Sequence, residues 1–479
     1  MIKTNYFVAF IFSFFLCSTP SFSAPAIDPE LLSEKIHKLL IDFGENINIG
    51  ILVKDAKTGK VLYKKDADRY FMPASNLKLF TAFAALQSLG PDFKFNTQLF
   101  ADYTKIKNNG LKDNIYLQFS GDPTLTEAQF ETLIHALAEA GIQQLKGKVI
   151  IDDSAFDQMT MSPGTSWEDQ NFCWGSPISS LTIDHNCVSA TLIPAEVAGQ
   201  PAKLELPQYP QTMNFVNQVL TGTAKEKPCL VKTKRTDKST YTISGCIKSG
   251  EKPRVIAMAI KNPRDNLLSL LKYSLKKNQI KVSGGFEFKK FTAFPKAFAR
   301  QDSAPLKELI AIMLKDSDNT ISEALFKTMG ANYAHEAGSF SNGSKAVRAI
   351  LARSIPLRIP KTALIDGAGA SRYNFLTPEQ IVTLLQKIYL SPGAPDFISA
   401  LAIAGVDGTL KDRMRNPTTR GKIFAKTGTE TAITSLSGYL ETKNKQMLIF
   451  SIMMNGFTDP WLKYKNLEDK ICKVLVEAN

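Results

Sequence analysis

The chain has 479 residues, 44% of them hydrophobic, and a formal net charge of +13. That is enough for a large core and several domains. No Lys/Arg block is interleaved with aromatics, which argues against a nucleic-acid partner; uniform surface basicity is the ordinary source of the positive charge, and it also favours anionic lipid headgroups or acidic wall polymers.

The N-terminus, Met1 to about Ser23, carries Lys3, an apolar run from Tyr6 to Cys17, and small residues at Ser21 and Ser23. This pattern predicts a cleavable secretory signal, too short to span a bilayer. Phe15-Leu16 is too bulky to make Cys17 a lipoprotein site. With no second long apolar stretch, the mature protein is expected outside the cytoplasmic membrane, soluble or peripherally membrane-associated.

Ile51-Leu52-Val53 and Val61-Leu62-Tyr63 read as a hairpin, with Lys57-Thr58-Gly59 as its turn. Next comes Ser75-Asn76-Leu77-Lys78, after Pro73-Ala74 and before a Leu/Phe/Ala-rich run that Gly90-Pro91 stops. The spacing predicts a buried helix, on which residues three apart share a face, so the Lys78 amine can reach the Ser75 hydroxyl. A serine hydroxyl needs an adjacent base, and a lysine serves only if burial or neighbouring positive charge lowers its pKa. A second lysine, Lys426, is expected to supply such a charge. Ser249–Lys252 and Ser274–Lys277 repeat the Ser-x-x-Lys spacing, but the first straddles a glycine before Pro253 and the second lies in a Lys-rich amphipathic stretch.

Residues from about 90 to 295 hold alternating strand-like runs, many turns, and four cysteines. Cys173 with Cys187 and Cys229 with Cys246 are the simplest local pairs in an oxidising compartment, leaving Cys472 free. Helical patterns follow at Leu306–Leu314 and from Ile321, and Ser317-Asp318-Asn319 lies in the break between them. Thr377-Pro378-Glu379-Gln380 is a capping-box helix start. Lys426-Thr427-Gly428-Thr429 ends a predicted strand, and strand-like runs at Ile433–Leu440 and Met447–Met454 suggest an antiparallel series. Gly428 permits close backbone approach, and an open strand edge there suits an extended peptide. The 4 histidines show no metal-ligand spacing, so neither a metal nor a cofactor is expected.

The ordered set Ser-x-x-Lys, Ser-x-Asn and Lys-Thr-Gly is that of the serine acyltransferases attacked by penicillin. With Gly121–Leu125, Gly175-Ser176-Pro177, Asp366–Asn374, Ala404–Leu410 and Leu436–Leu440, the chain resembles the D-alanyl-D-alanine carboxypeptidase/endopeptidases of the penicillin-binding-protein-4 (S13) family over almost its whole mature length. The resemblance implies an α/β (α+β) fold: a serine β-lactamase/transpeptidase-like catalytic domain with an antiparallel sheet and a helical subdomain. That domain is expected from residues 24–89 and 296–479, with two small, mainly β inserted domains within 90–295. The implied partners are peptidoglycan stem peptides and β-lactam antibiotics, in the periplasm, with oligomeric state open and a dimer allowed.

The implied catalytic residues are Ser75, Lys78, Ser317, Asn319 and Lys426, with backbone N–H groups of Ser75 and Thr429 as oxyanion hole. Thr427 and Gly428 are expected to hold substrate. Asp169 and Arg372 are expected to grip the amine and carboxylate of a diaminopimelate side chain, with Trp174 packing beside it. Relatives often carry an amide where this chain has Thr431. Two other readings are a serine β-lactamase, which the large insertion and the absence of a class A type Glu loop oppose, and a non-catalytic wall-binding scaffold, which has no need of an activated nucleophile.

Overall fold

A computed structural model describes residues 27–478, except 45–46, 210, 226–228, 238–239, 292–296 and 356. The expected signal segment lies outside the described residues. Six strands form the central sheet, in the order Ala402–Ile403, Ile423–Glu430, Ile433–Glu441, Met447–Asn455, Asn48–Asp55, Val61–Lys65. All neighbours are antiparallel.

The inner strands are near-continuous apolar runs because helices cover both faces, and strand alternation sorts their side chains. Ile51, Val53, Leu448, Phe450 and Ile452 join the helices Pro29–Phe43 and Trp461–Val476 through Leu32, Ile36, Leu467 and Ile471. Leu52, Ile449 and Met453 point the other way, into a core with Phe80, Ile381 and Leu385. The helix Lys78–Leu89 runs through that second core and is buried over its first eight residues, Lys78 included.

Leu306–Lys315, Asn319–Ala334 and Phe340–Ser354 extend this core as a helical layer. The helix Pro378–Tyr389 starts at the Thr377 capping box, with Gln380 donating its backbone N–H to Thr377 Oγ1 at 3.1 Å.

The segment after the serine helix builds separate cores. One contains a five-stranded sheet, in the order Phe286–Phe288, Val149–Asp152, Ile115–Phe119, Asn96–Phe100, Ala299–Asp302, covered by the helices Glu127–Glu139 and Pro263–Lys277. Another gathers two three-stranded sheets around Ala190, Leu192, Tyr241 and Ile243. Disulfides join Cys173 to Cys187 and Cys229 to Cys246, and Cys472 is unpaired and buried.

The competing motifs fall elsewhere. Lys57-Thr58-Gly59 is the turn between Asn48–Asp55 and Val61–Lys65. Ser274 is buried on the helix Pro263–Lys277, where its hydroxyl donates to Glu131. Among the described residues no helix is long and apolar enough to cross a membrane, and no cluster of His, Cys, Asp and Glu is built to hold a metal ion.

Candidate active site

Ser75 sits on a single 3-10 turn, Ala74–Leu77, that feeds directly into the helix Lys78–Leu89. The turn is entered through Ala74 at φ +45°, a conformation costly for any residue with a Cβ and held here by its surroundings. Ser435 Oγ donates to Pro73 O at 2.7 Å and accepts from Asn76 Nδ2 at 2.6 Å, stitching the turn to the sheet. Two glycines then press against it. A Cβ on Gly428 would lie 2.9 Å from Pro73 O and 3.1 Å from Ala74 Cβ, and one on Gly369 would lie 1.9 Å from Ala74 O. The close approach anticipated for Gly428 is therefore made to the serine turn.

Lys78 is fully buried, and its Nζ donates to Ser75 Oγ at 2.9 Å, Asn319 Oδ1 at 2.6 Å and Ala368 O at 2.8 Å. Burial pulls its pKa down to about 8, against the upward pull of Glu323, Asp366, Asp318 and Glu430. Lys426 is also fully buried and donates to Thr427 O at 2.9 Å. Burial and repulsion from Lys78 hold it well below the usual lysine range. Burial is the first cause at both lysines, and the two buried amines each disfavour the charge on the other.

Ser317 occupies the break between two helices in a left-handed conformation, φ +64°. Asp318 caps the second helix through Ile321 N at 2.7 Å, which leaves Asn319 in its first turn, facing Lys78. Asn319 Nδ2 donates to Trp174 O at 2.6 Å, so one amide bridges the buried lysine and the disulfide-bearing loop. Trp174 is 56% exposed and stacks on Phe172 with ring centroids 4.2 Å apart, so its side chain is not core packing.

Thr427 Oγ1 donates to Thr409 Oγ1 at 2.8 Å, tying the lysine strand to the Ala404–Leu410 block. The two-residue strand Ala402–Ile403 pairs only with Phe424 and Ala425. From Lys426 to Glu430 that edge of the sheet meets no other strand of the described residues. A strand edge of this kind offers main-chain donors and acceptors to an extended chain, with Thr429 at its far end.

Arg372 lies at the same end of the strand. Its Nη1 donates to Thr431 O at 3.0 Å, and its Nη2 is 3.7 Å from Glu430 Oε2. Asp169 opens the short turn Asp169–Asn171 and is near enough to push the Glu430 carboxyl upward. The structure brings together Ser75, Lys78, Asn319 and Lys426, and it groups Asp169 and Arg372 around Glu430.

Three carboxylates were not read from the sequence as part of this centre. Asp366 accepts from Gly369 N, Ser371 N and Asn374 Nδ2 at 2.7–2.8 Å and so folds the glycine-serine-arginine block. Glu323 accepts from Gly367 N and Ala368 N at 2.8 and 3.1 Å, and burial with the Asp366 charge lifts it to about 8. Its signal was available, since it lies one helical turn after Asn319 on the same face. Glu430 had none, because a strand end next to a motif is ordinarily solvated. Cavity size gives no guide: clefts of about 660 and 760 Å³ are lined by residues between Asn114 and Phe291 and contain none of the motif residues.

A serine, a buried lysine with lowered pKa and an open strand edge define a serine acyl-transferring peptidase. The comparisons narrow the class. The D-Ala-D-Ala carboxypeptidase 3 (S13) family matches residues 32–477, and the chain belongs to this family of serine D-Ala-D-Ala carboxypeptidases. D-alanyl-D-alanine carboxypeptidase DacB of Haemophilus influenzae is 29% identical over 449 residues, covering 93% of this chain and 92% of that protein. The D-alanyl-D-alanine carboxypeptidase of Actinomadura sp. (strain R39) is 30% identical over 443 residues, 90% of this chain and 82% of that protein. The crystal structure of penicillin binding protein 4 (dacB) from Haemophilus influenzae matches with a TM-score of 0.80 at 28% identity, over 92% of this chain and 98% of that one. A second structure of that protein, complexed with a β-lactam, matches with a TM-score of 0.76 at 26% identity, over 92% and 99% of the two chains.

Proposed function

We propose that this carboxypeptidase works through a Ser75 acyl-enzyme, trims D-Ala-D-Ala termini, cuts D-Ala-diaminopimelate cross-links of peptidoglycan, and is acylated by β-lactams. The observation that carries the reading is the Lys78 amine, buried, lowered to about 8 and 2.9 Å from Ser75 Oγ. Neutral Lys78 takes the Ser75 proton as Oγ attacks the D-Ala carbonyl. The N–H groups of Ser75 and Thr429 receive the oxyanion, a contribution typically of about 3 kcal/mol per donor. Ser317 relays the proton to the leaving amine, and Asn319 holds Lys78 and the bound peptide amide. Lys426, charged once a substrate carboxylate offsets its burial, receives that carboxylate with Thr427. Water then releases the product acid and regenerates Ser75.

Cross-link cutting is supported by the open edge from Lys426 to Glu430, which accepts an extended peptide on both sides of the scissile bond. The N-terminal signal pattern and the two disulfides support a periplasmic site of action. We assign the catalytic unit to residues 24–89 and about 303–479 because both segments supply the central sheet and the motif residues; the expected boundary at 296 moves to about 303, since the strand Ala299–Asp302 pairs with Asn96–Phe100 of the insertion.

Intact-mass analysis with a fluorescent penicillin, followed by chromatography of digested cross-linked muropeptides, tests this. A penicillin adduct on Ser75 and release of D-Ala and monomers are expected, with both lost in Ser75→Ala while the thermal melt persists. Rapid penicillin turnover without peptide cleavage would instead make the protein a β-lactamase, and neither adduct nor cleavage would leave the wall-binding scaffold.

A further inference from the structure

Glu323 lies one turn after Asn319 on the helix Asn319–Ala334 and is buried, 4% exposed. It accepts from two successive backbone donors, Gly367 N at 2.8 Å and Ala368 N at 3.1 Å. The carbonyl between those donors, Gly367 O, accepts from Thr81 Oγ1 and Ser322 Oγ, each at 2.7 Å. The next carbonyl, Ala368 O, receives Lys78 Nζ at 2.8 Å, and the N–H of its peptide, on Gly369, donates to Asp366 Oδ1 at 2.8 Å. Residues 367–369 thus form a splint, reached by Lys78 and Thr81 from the serine helix and by Ser322 and Glu323 from the Asn319 helix. Two of the three acceptors of Lys78 Nζ, Asn319 Oδ1 and Ala368 O, therefore take their positions from that one helix. The cavity that Glu323 borders measures about 30 Å³, room for a water and not for a peptide.

We propose that Glu323 is a positioning residue of the acyl transfer: through the Gly367 and Ala368 amides it holds the Ala368 carbonyl, and with it the Lys78 amine, in line with Ser75 Oγ. This rests on the reading of Lys78 as the base and deepens it. An ionised carboxylate binds both amides through charge-assisted bonds; a protonated one turns one oxygen into a donor and loosens that grip. The charged groups around Glu323 are Lys78 from the serine helix, Asp366 from the glycine block and Lys327 from its own helix, the last engaged by Asp157 at 2.7 Å. Lys78 itself also faces Asp318, Glu430 and Lys426. Burial and the Asp366 charge lift Glu323 to about 8, where Lys78 also titrates. Acylation then needs two deprotonations, one at Lys78 to make the base and one at Glu323 to hold it. The ionised Glu323 also favours the Lys78 ammonium, so removing that charge lowers the lysine further.

The test follows the rate of penicillin acylation from about pH 6 to about pH 9 in the wild type, Glu323→Gln and Glu323→Asp, with thermal melts alongside. Below about pH 7 the wild-type rate should rise about 100-fold per pH unit, the mark of two protons, where one proton gives about tenfold. Glu323→Gln keeps the shape and removes the charge. Its plateau should fall about tenfold or more, and its acid limb should lie about one unit lower with a single-proton slope. Glu323→Asp keeps the charge but draws it back from the amides, so its plateau should fall while the limb stays near 8. A plateau loss in Glu323→Gln with an unmoved limb makes the residue merely structural and overturns the proposal, as do wild-type plateaus in both variants. If neither variant folds, the wild-type limb decides, and a single-proton slope there overturns the proposal. No acylation of the wild type overturns the reading of Ser75 and Lys78 as well.

Discussion

In the mechanism proposed above Lys78 is the base, and its burial is what suits it to that role. A lysine in water is protonated far above neutrality, but desolvation disfavours the cation and lowers this one to about 8. Attack by Ser75 needs the neutral amine, so kcat/KM should rise with pH and reach half its plateau near 8; an acid limb centred near the ordinary lysine value would remove Lys78 as the base. Gly428 makes a second residue-scale prediction. Gly428→Ala drives a methyl first into Ser435 Oγ and then into Pro73 O and the Ala74 side chain, so the hydroxyl that stitches the serine turn to the sheet is displaced and the turn must shift with it. A displacement of about 1 Å costs on the order of 100-fold in rate. We expect penicillin acylation of Gly428→Ala to slow by about that factor, a measurement that sinks the argument if the rate stays at the wild-type level.

Among the elements, the loop closed by Cys173–Cys187 matters most to the site, because Trp174 O fixes the Asn319 amide that faces Lys78. A closed loop of about 15 residues stabilises by about 3 kcal/mol. The pair Cys229–Cys246 has a comparable separation, 17 against 14, but ties the strands around the Ala190–Tyr241 core. Replacing either pair by serine should lower the melting temperature. Only the Cys173/Cys187 replacement should also lower kcat/KM, and equal kinetic losses from both would break the link drawn through Trp174. The strand pattern behind Lys426 was legible in advance: expected runs at Ile433–Leu440 and Met447–Met454 correspond to strands Ile433–Glu441 and Met447–Asn455. Tight polar turns between continuous apolar runs leave few other solutions.

At the scale of the molecule, the first and last helices of the described residues, Pro29–Phe43 and Trp461–Val476, pack together on one face of the central sheet. Arg413 pins the second of these, with Nη2 at 2.8 Å from Glu468 Oε2 and 2.6 Å from Asp469 Oδ1. Glu468 is fully buried. Arg413→Met would leave that carboxylate without its cation, a cost of about 3–5 kcal/mol. The sign with pH follows. Burial holds the Glu468 pKa above the usual glutamate value, so the penalty applies while it is ionised and shrinks as falling pH protonates it. Denaturant midpoints of the variant should approach those of the wild type toward acid, and a constant gap would exclude Glu468 as its cause.

The sequence by itself determined the serine-lysine pair, the order of the three motifs, the strand series behind Lys426 and the capped helices, and it offered the local cysteine pairs only as the simplest pairing. Each is written in neighbouring residues, where periodicity, caps and turn chemistry act over a few positions. Only the tertiary structure decided that Asn319 links Lys78 to Trp174, that Gly428 and Gly369 clamp the serine turn, that Glu323 and Asp366 lie behind it, and that Arg372 is engaged by Glu430. Those contacts join residues far apart in the chain, and their charges depend on how much water the assembled core excludes, which no local pattern records.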